Sequence, residues 1–126
     1  MRYLITTILL TLAPLSSGED VYYCAEDHRV AIHPDSKQKE FVVRQYPPEK
    51  FNLRYEKTAK RITIQASSAD GETASIFMDC DYCNPETPMF NATGLIHKLA
   101  MKKNIFFISS MTSDDAVIAN GTCTKL

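Results

Sequence analysis

The residues best spaced for chemistry are Cys80 and Cys83, separated only by Asp81 and Tyr82. In a redox enzyme the first cysteine of such a pair opens a helix, whose dipole and free amides lower its pKa and make it a nucleophile. Here Asn84, Pro85, Glu86, Thr87 and Pro88 follow, and prolines so placed stop a helix from continuing. Asp79 and Asp81 would raise a thiol pKa rather than lower it. The pair therefore reads as a structural disulfide in a shaped loop over residues 80–88, with a CxxC-centred redox factor as the alternative. Zinc is the other use of two close cysteines, with His97 or His28 as further ligands. Zinc wants four ligands, and the chain has no second close pair. His28 and His33 are expected to flank a turn and His97 to sit within a strand, so all three read as ordinary surface or half-buried histidines. A metal-binding protein stays the alternative, and no cofactor is expected.

Hydrolytic chemistry finds no motif. Serines are plentiful, but no Gly-x-Ser-x-Gly elbow occurs. Asp114 and Asp115 are adjacent, so in a strand their carboxylates would point to opposite faces, and a turn is their natural place. Asn91-Ala92-Thr93 and Asn120-Gly121-Thr122 fit the N-glycosylation pattern, and both are read as chance matches. No catalytic residue is assigned, and the chain reads as non-enzymatic.

The segments that would carry these residues begin with an export signal. Arg2 supplies a positive start, residues 3–13 an uncharged apolar stretch, and Pro14 ends it. The stretch is shorter than the roughly 20 residues of a spanning helix. Ser16, Ser17 and Gly18 put small residues where a peptidase cuts. Residues 1–18 are thus expected to be a signal peptide and residues 19–126 one domain, periplasmic or secreted, with no membrane span. The chain's 14 lysines and arginines balance 15 aspartates and glutamates, a net charge of −1 with no single-sign block. Nucleic acid and anionic membrane are therefore poor partners. Two basic clusters, at Lys57, Lys60 and Arg61 and at Lys98, Lys102 and Lys103, read as solvated turns and strand faces.

An even number of cysteines in an oxidising compartment implies disulfides, and four cysteines allow three pairings. Cys24 and Cys123 lie near the two mature ends, which would be neighbours in a closed sheet. Cys80 and Cys83 are close enough to pair locally. The favoured pairing is 24 with 123 and 80 with 83.

Alternation of apolar and polar residues, the period of a half-buried strand, dominates. Phe51, Leu53 and Tyr55 alternate with polar neighbours, as do Ile62 and Ile64, and residues 57–60 link the two runs as a hairpin. Further strands are expected over 21–25, 41–44, 74–79, 95–101, 105–109 and 116–123, with a turn at Asp70-Gly71 and another at residues 102–104. About eight short strands point to an all-β, antiparallel up-and-down meander or barrel, stapled by disulfides. Closing it would remove exposed edges and bring the first and last strands together.

Tyr22-Tyr23-Cys24 near the mature start and Gly121-Thr122-Cys123-Thr124-Lys125-Leu126 at the end resemble the small exported barrels of bacterial envelopes. The family most similar is the periplasmic inhibitors of c-type lysozyme. That resemblance implies an eight-stranded barrel whose terminal strands are joined by a disulfide. It implies no site residues: Ser67, Ser68 and Gly71 have no tyrosine after them, and the chain has no tryptophan, whereas the family's inhibitory loop has a Ser-Gly pair followed by tyrosine.

The function expected on these grounds is an exported, non-enzymatic binding domain. Its partner, an unknown protein or small ligand, would meet the 80–88 loop or one barrel mouth. Asp81, Tyr82, Asn84 and Met89 are the candidate contact residues. A structural subunit of an envelope assembly is a further alternative, and it requires an open, unpaired edge strand.

Overall fold

The computed structural model describes residues 19–35, 40–67 and 71–126. The signal peptide expected over residues 1–18, and Asp70 of the expected turn, lie outside them. Within them the chain forms nine strands: β1 (Glu19–Asp35), β2 (Glu40–Tyr46), β3 (Lys50–Glu56), β4 (Arg61–Ser67), β5 (Thr73–Asn84), β6 (Met89–Thr93), β7 (His97–Lys102), β8 (Ile105–Met111) and β9 (Ala116–Lys125). Eight of them, β1 and β3 to β9, pair antiparallel in chain order, and β9 returns to β1 to close a barrel. β2 is an extra strand outside that ring. The all-β, disulfide-stapled barrel expected from alternation is what the chain forms.

Alternation selects the inner face. β3 buries Phe51, Leu53 and Tyr55, β6 buries Phe90 and Ala92, and β7 buries Leu99 and Met101. These side chains fill the barrel with Phe106, Ile62 and Met78. Phe51 meets Phe106 edge-on at 5.1 Å between centroids, and Tyr22 meets Phe90 in the same way at 5.6 Å. Such aromatic pairs add about 1 kcal/mol each beyond the area they bury.

β1 runs seventeen residues, far beyond the strand expected over 21–25. His28 and His33 therefore lie on it and flank no turn. Its first part pairs with β3 and its last part with β2, in one unbroken register: Ala25 faces Lys50 and Arg29 faces Tyr46, four positions along each strand. The Glu26 N–H bonds the Glu49 carbonyl in between, at 2.9 Å. β2 and β3 are thus one long strand interrupted by Pro47 and Pro48, which have no N–H to give the ladder.

On its other side β1 pairs with β9, with a register shift between Glu26 and His28. This bulge puts Asp27 extra in β1 and re-aims everything after it. Cys24 and Cys123 face each other across the same seam and are bonded. Their separation of 99 residues makes the bridge worth about 4–5 kcal/mol on the chain-entropy view.

The second bridge corrects the sequence reading. Cys80 and Cys83 are bonded, but residues 80–84 are strand, and only residues 85–88 form a turn. Three residues apart on a regular strand, two side chains point to opposite faces. A bulge between Cys80 and Tyr82 inserts one position, so both sulfurs come to the core side, where both cysteines pack. The strand thereby survives a motif that looked like a loop. β6 was the strand missed, being five residues long behind that turn.

Candidate functional site

The four residues singled out from the sequence divide. Asp81 is the bulged residue, and its Oδ2 accepts the Thr93 hydroxyl at 2.6 Å. Asn84 accepts the Glu86 N–H at 3.0 Å and so closes the 85–88 turn, an internal task that occupies its oxygen. Tyr82 stands on the outer barrel face, 53% exposed. Met89 is half-buried in the wall of a cleft on that face. All four lie on the outer side of the barrel wall, but Asp81 and Asn84 are taken up by bonds within the fold, whereas Tyr82 and Met89 are not.

The cleft follows from the order of side chains along the ladder. Outward-facing residues form two rows across the strands: Tyr82, Asn91, Ala100 and Phe107 in one, Asn84, Met89, Lys102 and Ile105 in the next. Ala100 is a small side chain between larger ones, so its row is hollow at that point. The hollow is about 470 Å³, within the usual size of ligand sites. Met89, Ile105 and Phe107 form apolar walls, the last two 53% and 54% exposed. Lys102, Lys103 and Asn104 form the rim.

Electrostatics at the rim are uncompensated. Among the described residues neither Lys102 nor Lys103 is in an ion pair, so both ammonium groups are available to an anion. Lys103 also has φ +57°, in the left-handed region where a side chain costs about 1 kcal/mol against glycine.

A second polar centre lies where β1 leaves the barrel. Glu26 has a fully buried side chain. Arg29 Nε and Nη2 donate to its two oxygens at 2.9 and 2.8 Å, and the Glu49 N–H donates at 2.9 Å. Arg29 also reaches Glu49 Oε2 at 3.1 Å. The bond to Glu26 is the main reason that the guanidinium is held above its ordinary value, against burial that opposes it. Four residues beyond Arg29, His33 Nδ1 lies 2.7 Å from Asp115 Oδ1 and Nε2 lies 2.7 Å from the Tyr46 hydroxyl. Tyr46, His33 and Asp115 thus form a continuous hydrogen-bonded chain. Its bonds tie β1 to β2 and to the residue before β9, and in the 300 Å³ groove beside it the polar lining groups, Arg29, His33, Tyr46 and Glu49, are already engaged with one another or with Asp115 and Glu26. The arrangement works first as a clasp on the projecting hairpin.

A wider hollow of about 710 Å³ is bounded by Pro48, Lys50, Ala66, Thr73 and Ala74. Its walls carry no aromatic ring and offer an apolar ligand little. Cys80 and Cys83 are bonded to each other, and in that state neither offers a thiolate to a metal or a substrate. His97 stands first in β7, and burial holds its imidazole below the ordinary value.

The sequence reading took Lys102 and Lys103 as a solvated turn and Ile105 to Ser109 as a strand, without joining them. The signal was present in Ile105-Phe106-Phe107-Ile108. In a single-layer barrel, an unbroken apolar run must show every second residue to solvent. Comparison of the chain with known protein families, characterised proteins and solved structures finds no match.

Proposed function

We propose that this chain is an exported binding domain, periplasmic or secreted, and that it holds a ligand with an apolar body and an anionic end in the cleft across β6 to β8. The observation that carries this reading is the pairing of apolar walls, Met89, Ile105 and Phe107, with two unpaired lysines at their rim. A barrel interior filled by Phe90, Phe106 and Leu53 leaves recognition to the outside. Two disulfides fit a non-reducing compartment, and the leader read at residues 1–18 fits export.

Laurate, a twelve-carbon carboxylate, is the probe. At roughly 0.35 kcal/mol for each of about fourteen heavy atoms it gains about 5 kcal/mol, a Kd of about 0.2 mM. Ala100 is exposed, so Ala100→Leu fills the hollow without touching the core. Calorimetric titration should show saturable laurate binding that Ala100→Leu abolishes and that Lys102→Glu with Lys103→Glu weakens about tenfold or more. Dodecyltrimethylammonium should not bind there. Equal binding of the cation and the anion, or laurate binding that survives Ala100→Leu, overturns the reading.

A further inference from the structure

β2 ends the sheet. It pairs with β1 on one side, and among the described residues its other edge is bonded to nothing. The ladder fixes which backbone groups are free there. Because Glu26 N–H bonds the Glu49 carbonyl and the register runs on unbroken past the prolines, Phe41, Val43 and Gln45 turn their peptide groups toward β1. Glu40, Val42 and Arg44 turn theirs outward. Exposed edges of this kind are templates for another strand, and proteins usually guard them with charge or proline.

Here the guards also select a partner. The stretch Glu40-Phe41-Val42-Val43-Arg44 is complementary to itself when read antiparallel. With Val42 opposite Val42 of a second copy, Glu40 faces Arg44, Phe41 faces Val43, and Arg44 faces Glu40. Each end brings opposite charges together, and the middle is apolar. A parallel alignment would oppose Glu40 to Glu40 and Arg44 to Arg44, and a shift of the antiparallel register would oppose Arg44 to Val42. Phe41 and Val43 are 75% and 64% exposed, on the face where Val43 neighbours Ile32 and Phe41 neighbours Pro34.

We infer that two copies of this chain pair through their β2 edges in an antiparallel two-fold ladder centred on Val42. The sheet then runs from β1 and β2 of one copy into β2 and β1 of the other. The interface is isologous, each patch meeting itself, and it does not depend on the cleft across β6 to β8. Five residues a side place it at the small end of specific interfaces, below about 1,200 Å². The dimer is therefore weak and concentration-dependent.

The test is sedimentation equilibrium of the full exported chain from about 1 μM to about 1 mM. Wild type should fit a monomer–dimer equilibrium with Kd on the order of 10–100 μM. Glu40→Arg alone and Arg44→Glu alone each set like charges across both ends and should weaken it about tenfold or more. Mixing the two single variants restores opposite charges at both ends, and so does combining both changes in one chain, so each should recover the wild-type affinity. A monomer over the whole range overturns the inference. So does a dimer that ignores the single changes, or a mixture that associates no better than its components.

Discussion

Gly121→Ala should break the barrel at its seam, and the size of the effect can be worked from the geometry. Gly121 faces Glu26 where β1 carries its extra residue. A Cβ there would overlap the Ala25 carbonyl oxygen, and would lie 2.7 Å from Glu26 Cα and 2.9 Å from the Ala25 carbonyl carbon. All three are backbone atoms, and none can rotate away. To regain ordinary contact β9 must retreat by roughly 1 Å or more, which takes the adjacent ladder bonds past useful length. Losing two or three of them at about 1 kcal/mol each, with about 1 kcal/mol of packing under the seam, costs about 3–4 kcal/mol. For a domain of this size that lowers Tm by roughly 15–25 °C. Thermal unfolding followed by circular dichroism, with the disulfides intact, measures it. Gly71→Ala is the control: Gly71 has φ +85°, and a Cβ there would meet nothing within 4 Å among the described residues, so the conformational cost of about 1 kcal/mol is what applies. A Gly121→Ala protein within 1 kcal/mol of wild type would refute the bulge and the close approach derived from it.

Tyr22 is 2% exposed and its hydroxyl has no hydrogen-bond partner among the described residues. Burial first, and the Asp20 charge second, push its pKa up. Tyr22→Phe should therefore raise stability by about 1–2 kcal/mol in urea unfolding, and a loss would mean that the hydroxyl is satisfied. Glu26→Ala leaves the Glu49 N–H without its side-chain acceptor and Arg29 with Glu49 as its remaining carboxylate, and should cost about 2–3 kcal/mol, with Glu26→Gln costing about half. A cost below about 1 kcal/mol for Glu26→Ala would make the cluster ornamental. His97, held below its ordinary value by burial, binds fewer protons folded than unfolded. Its contribution is complete above about pH 6.5 and is lost as pH falls from there through the folded value. The stability difference between wild type and His97→Gln should fall over that window, and a difference independent of pH would contradict it.

Alternation made the barrel legible, because Phe51, Leu53, Tyr55, Ile62 and Ile64 announce a strand period that tertiary packing had only to accept. The bridge between Cys24 and Cys123 followed from closure. The bulges were not legible: Asp27 and Asp81 leave no local mark, yet the second decides that Cys80 and Cys83 share a face and that the strand continues. Prolines misled at Pro85 and Pro88, which a four-residue turn accommodates, whereas Pro47 and Pro48 do divide β2 from β3. Of the cleft only Met89 was among the contact residues expected from the sequence, with Asp81, Tyr82 and Asn84 lying beside it or bonded within the fold. The cleft arises from Ala100 lying between Asn91 and Phe107 across three strands, and such cross-strand neighbours have no adjacency in the sequence.

The most direct test of the cleft as the binding surface is amide-resolved NMR of the folded, oxidised protein during a laurate titration. Shifts should saturate and concentrate on residues 89–91 and 100–107, with the amides of 80–84 moving less and those of β1 and β3 staying still. Saturable shifts centred elsewhere, or none at millimolar laurate, would contradict a ligand held between Met89, Ile105 and Phe107.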